Sequence, residues 1–317
     1  MLSLNANKLR IFLRRRLSCH RTTGRGDRVC DLGQEADLKP AVALRSISPR
    51  RLFFWAPLLL AGCQGISTQP VPTAIDAESA AGGVIRQLGH DDSETGCRLD
   101  YRVYRLANDP GGVRVVLAHG FLRDQDRMRG FADALAQRGL PTLTLDLCNM
   151  RPWDGAHRQN GRDMVQLARR LGARHVVYAG FSAGGLAALV AASIDRDAIG
   201  VFAMDIVDRD GLGQQLAAEL SIPIAGLVAD PSSCNAQNNG LAVYAVASDA
   251  RVRRFSGATH CDFETPTDAL CELLCEPGGR SPGETVLTRQ AIAQAALDTV
   301  EAMAAGHRAG GTVQAPP

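Results

Sequence analysis

The chain has 317 residues, of which 45% are apolar and 21% charged, a globular composition that makes a sizeable core affordable. Its formal net charge of +2 hides an asymmetry, because the residues before Cys63 carry about +8 and the remainder about −6. Both lysines, Lys8 and Lys39, lie in the front part, and the mildly acidic remainder gives no reason to expect a nucleic-acid partner.

Residues 1–44 are rich in arginine, carry Arg14-Arg15-Arg16 and the cysteines Cys19 and Cys30, and show neither a helical nor a strand period. They are expected to be a disordered leader ahead of a true start near Val42 or Leu44. Residues 45–62 then read as a signal peptide: Arg45, Arg50 and Arg51 precede the run LFFWAPLLL, and small residues follow. The run is far shorter than the ~20 apolar residues that span a bilayer. Leu60-Ala61-Gly62-Cys63 resembles the lipobox of bacterial lipoproteins. That resemblance implies cleavage before Cys63, acylation of its sulfur and a membrane partner through the lipid, and Gln64 points to the outer membrane. A plain secretory signal is the alternative. Residues 63–93 are expected to be a tether.

Beyond the tether the expected elements follow in order. Strands are predicted at 99–106, 113–118 and 142–147, with a helix at 127–138 ended by Gly139 and another at 158–171. A strand at 175–179 leads through Gly180-Phe181-Ser182-Ala183-Gly184 into an alanine-rich helix at 183–192. Strands at 199–204 and 222–228, a helix near 236–247, a strand at 252–255 and a closing helix at 288–305 complete the domain, and residues 307–317 are expected to be a disordered tail. Short β-rich runs alternating with helices predict an α/β domain with a largely parallel sheet covered on both faces, over residues 94–306.

The five residues at 180–184 spell GxSxG, in which a tight strand-to-helix turn pushes a serine hydroxyl outward beside free N–H groups of the helix start. With His119-Gly120-Phe121 after an earlier strand, the order of elements resembles the α/β-hydrolase fold, without a large lid. The resemblance implies a serine hydrolase acting on carboxylic esters. It makes Ser182 the nucleophile and the backbone N–H groups of Phe121 and Ala183 the oxyanion donors.

A base must take the serine proton. Of the histidines beyond residue 44, His90 falls in the tether, His119 in the oxyanion loop, His157 at a helix start, His175 at a strand opening and His307 in the tail, which leaves His260. Two aspartates stand at strand ends as the acid. Asp205 lies in a segment similar to that of chlorophyllases, and Asp230 at the position usual in the dienelactone-hydrolase and polyester-hydrolase branch; Asp205 is preferred and Asp230 is the alternative. No metal or organic cofactor is needed for this chemistry. Acyltransferase, peptidase and non-catalytic binding readings use the same scaffold.

Six cysteines follow Cys63, an even number that favours disulfides in an exported domain. Cys97 with Cys148 is the preferred pair, leaving Cys234, Cys261, Cys271 and Cys275 to pair among themselves; zinc held by Cys261, Cys271 and Cys275 is the rival reading. Trp153 is a candidate for the substrate pocket, whereas Arg123, Asp124, Gln125 and Asp126 are expected to be a solvated helix start.

Overall fold

The computed structural model describes residues 83–109, 111–148, 155–275 and 280–310, with three short strand pieces ahead of them. The chain divides into two units, Met1–Gln69 and Pro70–Pro317. In the first unit, β1 (Cys19–Arg21) and β2 (Arg28–Cys30) pair antiparallel, a ribbon too short to leave a period in the sequence. The signal segment 45–62, Cys63 and the tail from 311 lie outside the described residues.

The second unit is built on a nine-stranded sheet. Its strands are β3 (Ala77–Ser79), β4 (Val84–Asp92), β5 (Arg98–Leu106), β6 (Val115–Ala118), β7 (Thr142–Leu145), β8 (Val176–Phe181), β9 (Ala198–Met204), β10 (Ile224–Val228) and β11 (Ala250–Arg254). They run in the spatial order β11-β10-β9-β8-β6-β7-β5-β4-β3. The six strands from β11 to β7 are parallel, and β5, β4 and β3 add an antiparallel edge.

Every residue of β6, β7, β8 and β10 is buried, the pattern of strands covered on both faces. One face packs against α2 (His157–Arg170), α3 (Ala183–Ile194), α4 (Leu212–Glu219) and α5 (Leu241–Val246). The other packs against α1 (Arg129–Gln137) and α7 (Pro282–Gly310). On α7 the buried residues Ile292, Ala296, Val300 and Ala304 repeat every fourth position, the stripe a helix lays on a sheet.

Four expectations need correction. The tether was expected to extend to residue 93, yet Val84–Asp92 is a strand, nine residues in register with β5 from Val84↔Leu106 to Asp92↔Arg98. Its polar residues, His90 among them, read as linker because the strand lies near the sheet edge and Leu88, His90 and Asp92 stay in water. Two helices were not foreseen. The first, α4, begins after Gly211 and carries only three buried residues, and its first turn is held by the Asp208 carboxylate, which accepts from the N–H groups of Gly213 and Gln214. The second, α6 (Ala269–Cys275), buries only Cys271 and so lacks an apolar period. The closing helix also starts earlier and ends later than predicted, at Pro282 and Gly310, taking in the first four residues of the supposed tail.

Candidate active site

Ser182 stands between β8 and α3 with φ 54° and ψ −118°, a left-handed conformation that costs a non-glycine residue on the order of 1–3 kcal/mol. The turn is held by its surroundings. The Ser182 N–H donates to the Met204 carbonyl at 2.9 Å. A Cβ on Gly180 would overlap the Gly184 carbonyl, and one on Gly184 would overlap the carbonyl oxygens of His119 and Ala118. The flanking glycines are thus required by close backbone approach. Although Ser182 is the N-cap of α3, its hydroxyl caps nothing, so the oxygen stays available.

His260 opens a one-turn 3-10 helix, His260–Phe263, a few residues past β11. Its Nδ1 lies 2.6 Å from Asp205 Oδ2, and both side chains are almost completely buried. With Nδ1 donating to the Asp205 carboxylate, Nε2 is the ring nitrogen left able to accept a proton. The His260 ring packs on Phe181, the residue before Ser182, with centroids 4.5 Å apart. Asp205 is itself set by the neighbouring strand: its N–H donates to the Leu227 carbonyl at 2.7 Å, and its Oδ1 accepts from the Ala229 N–H at 2.9 Å.

Of the two candidate acids the structure brings Asp205 to His260, not Asp230. The Asp230 side chain is about half exposed, and its Oδ2 accepts from the Gly257 N–H at 2.7 Å, which closes the turn ahead of His260.

The two residues expected to supply oxyanion donors, Phe121 and Ala183, fall beside Ser182. Ala183 is the first residue of α3, where N–H groups have no helical acceptor. Phe121 lies in the loop after β6; among the described residues nothing accepts from its N–H, and an ideal Cβ on the preceding Gly120 would stand 3.3 Å from Ser182 Cβ. His119 braces this loop. Its Nε2 accepts from the Leu147 N–H at 2.9 Å, which places the hydrogen on Nδ1 for donation to the Gly120 carbonyl at 2.8 Å. Burial holds the His119 pKa below its ordinary value, so the ring is neutral where both bonds need it to be.

Three supporting residues escaped the sequence reading. Asn235, fully buried, donates through Nδ2 to Asp205 Oδ2 at 3.2 Å and to the Asp230 carbonyl at 2.9 Å. Its Oδ1 accepts from the N–H groups of Ser232 and Asn238. The buried Asp262 carboxylate accepts from the Thr259 N–H, Arg280 and Arg289, and with Thr259 it makes a capping box around His260. The T-x-x-D spacing was the one signal available for it. Glu264, also buried, holds Arg123 through two hydrogen bonds of 2.6 and 2.8 Å and so ties the oxyanion loop to the histidine loop.

Arg123 and Gln125 are therefore not a solvated helix start. Arg123 is 8% exposed, and Gln125 is buried against Asp146, Asp100 and Thr144 because the loop folds back over the sheet. Asp124 does cap the first turn, accepting from the Asp126 N–H at 3.0 Å, and Asp126 pairs with Arg102. Trp153 lies outside the described residues.

The cysteines pair as Cys97–Cys148, Cys234–Cys275 and Cys261–Cys271, which includes the preferred pair and closes the four others among themselves. Two bridges flank the site: Cys261 follows His260, and Cys234 precedes Asn235. A cavity of about 1220 Å³ sits elsewhere, at the starting ends of β8, β9 and β10 beneath α7, and contains none of Ser182, His260 and Asp205. Among the described residues no helix is long and apolar enough to cross a membrane.

No protein-family model matches the chain, and no curated protein matches it. Solved structures do. A cold-adapted esterase from an Arctic intertidal metagenomic library aligns over 68% of this chain and 97% of its own, with 14% identity and a TM-score of 0.50. An acetyl xylan esterase from Paenibacillus sp. R4 aligns over 60% and 80%, with 12% identity and a TM-score of 0.47. With the strand order and the turn at Ser182 already described, the chain has the α/β-hydrolase fold.

Proposed function

We propose that the chain is a serine hydrolase that cleaves carboxylic esters. The observation that carries this reading is the buried 2.6 Å pairing of His260 Nδ1 with Asp205, with the His260 ring packed on Phe181, the residue before a serine that is held at positive φ and whose hydroxyl caps nothing. Ser182 Oγ attacks the ester carbonyl while His260 Nε2 accepts its proton, and the N–H groups of Phe121 and Ala183 hold the oxyanion. His260 then protonates the leaving alcohol, and a water activated by the same nitrogen releases the acid from the acyl-enzyme. Each oxyanion donor contributes on the order of 3 kcal/mol to the transition state. The cold-adapted esterase of similar fold supports an ester substrate class, and the apolar run ahead of Cys63 supports a lipid-anchored enzyme at a bacterial cell envelope.

A fluorophosphonate probe tests the proposal: the folded protein should label stoichiometrically and hydrolyse short-chain nitrophenyl esters, and Ser182→Ala should abolish both. A folded protein that neither labels nor turns over would refute it. Palmitate incorporation lost in Cys63→Ser tests the anchor.

A further inference from the structure

Three sulfur atoms beside the histidine loop, Sγ of Cys261, Cys271 and Cys275, lie within 4.8 Å of one another. They belong to two different bridges, so the fourth sulfur, of Cys234, is bonded directly to one of the three. Sulfurs around a tetrahedral zinc ion, each about 2.3 Å from the metal, stand about 3.8 Å apart, so each bonded pair must open by about 1.7 Å once reduced while the unbonded sulfurs of the trio close by about 1 Å at most. We infer that these four cysteines are a redox-dependent metal site: two disulfides when oxidised, and a tetrahedral all-thiolate site for zinc when reduced. Either form staples the same three segments, namely the loop after β10, the turn carrying His260, and α6.

Exposure sets the order of events. Cys234 and Cys275 are both half-buried, whereas Cys261 is fully buried and Cys271 nearly so. A dithiol reductant therefore meets Cys234–Cys275 first, giving it two electrons and two protons and becoming a disulfide itself. The freed Cys275 thiolate then faces Cys261–Cys271 and opens it by exchange, and a second dithiol completes the reduction to four thiols. One zinc ion replaces the four thiol protons, which pass to solvent. An all-sulfur donor set favours zinc over harder divalent ions such as magnesium or calcium. This inference does not depend on the ester-hydrolase reading, because its readout is metal binding.

The test uses the full chain, reduced anaerobically with a phosphine that takes its oxygen from water, and cobalt(II) as the probe. The reduced protein should develop sulfur-to-cobalt charge transfer with tetrahedral visible bands, and one equivalent of zinc should bleach them. The oxidised protein should show neither. Cys271→Ser should lose the bands, whereas Cys97→Ser, at the remote bridge, should keep them. Absence of the bands in the reduced protein would overturn the site. So would bands unchanged in Cys271→Ser, or equal loss in both variants, which would mean that an unfolded chain chelates through any of its cysteines.

Discussion

Replacing Asp205 by asparagine isolates the group on which the proposed mechanism depends. In the native site Oδ1 accepts from the Ala229 N–H, and Oδ2 accepts from His260 Nδ1 and more weakly from Asn235. An asparagine keeps the Ala229 bond only by placing its carbonyl oxygen at the Oδ1 position, which turns its NH₂ toward His260. Nδ1 must then accept, the hydrogen moves to Nε2, and the nitrogen that should take the Ser182 proton is blocked. The expected loss is about 10⁴-fold in kcat, or about 5 kcal/mol of transition-state stabilisation. Asp230→Asn keeps an oxygen for the Gly257 N–H at a half-exposed position, so its activity should stay within about threefold of the parent. Both variants would be assayed on one nitrophenyl ester, with rates divided by the active-site concentration from fluorophosphonate titration. An Asp205→Asn enzyme within tenfold of the parent, or a larger loss in Asp230→Asn, would refute this assignment of the acid.

Asn235→Ala removes the amide that bonds Asp205, the Asp230 carbonyl and two backbone N–H groups; urea midpoints should show about 2 kcal/mol or more of lost stability, and kcat should fall about tenfold with KM unchanged. Gly184→Ala drives a methyl into two main-chain carbonyls and should yield little soluble protein by gel filtration, whereas an alanine at Gly283, which meets nothing within 4 Å, should express normally. His119 binds its proton more weakly when folded than its ordinary value of about 6.5, so the unfolded chain takes up the proton first. Its contribution to stability is therefore full above that value and falls as the pH drops below it; urea midpoints at pH 7.5 and 5.5 should show the loss, and His119→Gln should reduce the difference.

Much of the domain was readable because its signals are local. The strands of the sheet centre are short apolar runs, and α2, with Met164, Leu167 and Ala168 buried, lies within a residue of its expected bounds. Elements stabilised mainly by distant groups were not readable. The strand at 84–92 exists because β5 offers it a full ladder, and α6 because bridges at Cys271 and Cys275 tie it to the loops below. Polar residues that look solvated in the sequence, such as Arg123, become core when a carboxylate far along the chain, Glu264, is folded against them.

The turn at Ser182 belonged to the sequence by itself. A serine between glycines at a strand-to-helix junction announces its turn in residue type, although Met204, Ala118 and His119 from other strands hold that turn in place. The partner of His260 did not. Asp205 and Asp230 are both carboxylates at the ends of parallel strands, and the sequence preferred Asp205 only through the resemblance of its segment and the unusual loop after Asp230, without deciding between them. Their roles follow from the alignment of β9 with β10, which pairs Met204 with Leu227 and so turns Asp205 into the Ala229 N–H and the histidine, leaving Asp230 half in water to hold a turn. That alignment is a long-range property, created when the sheet assembles.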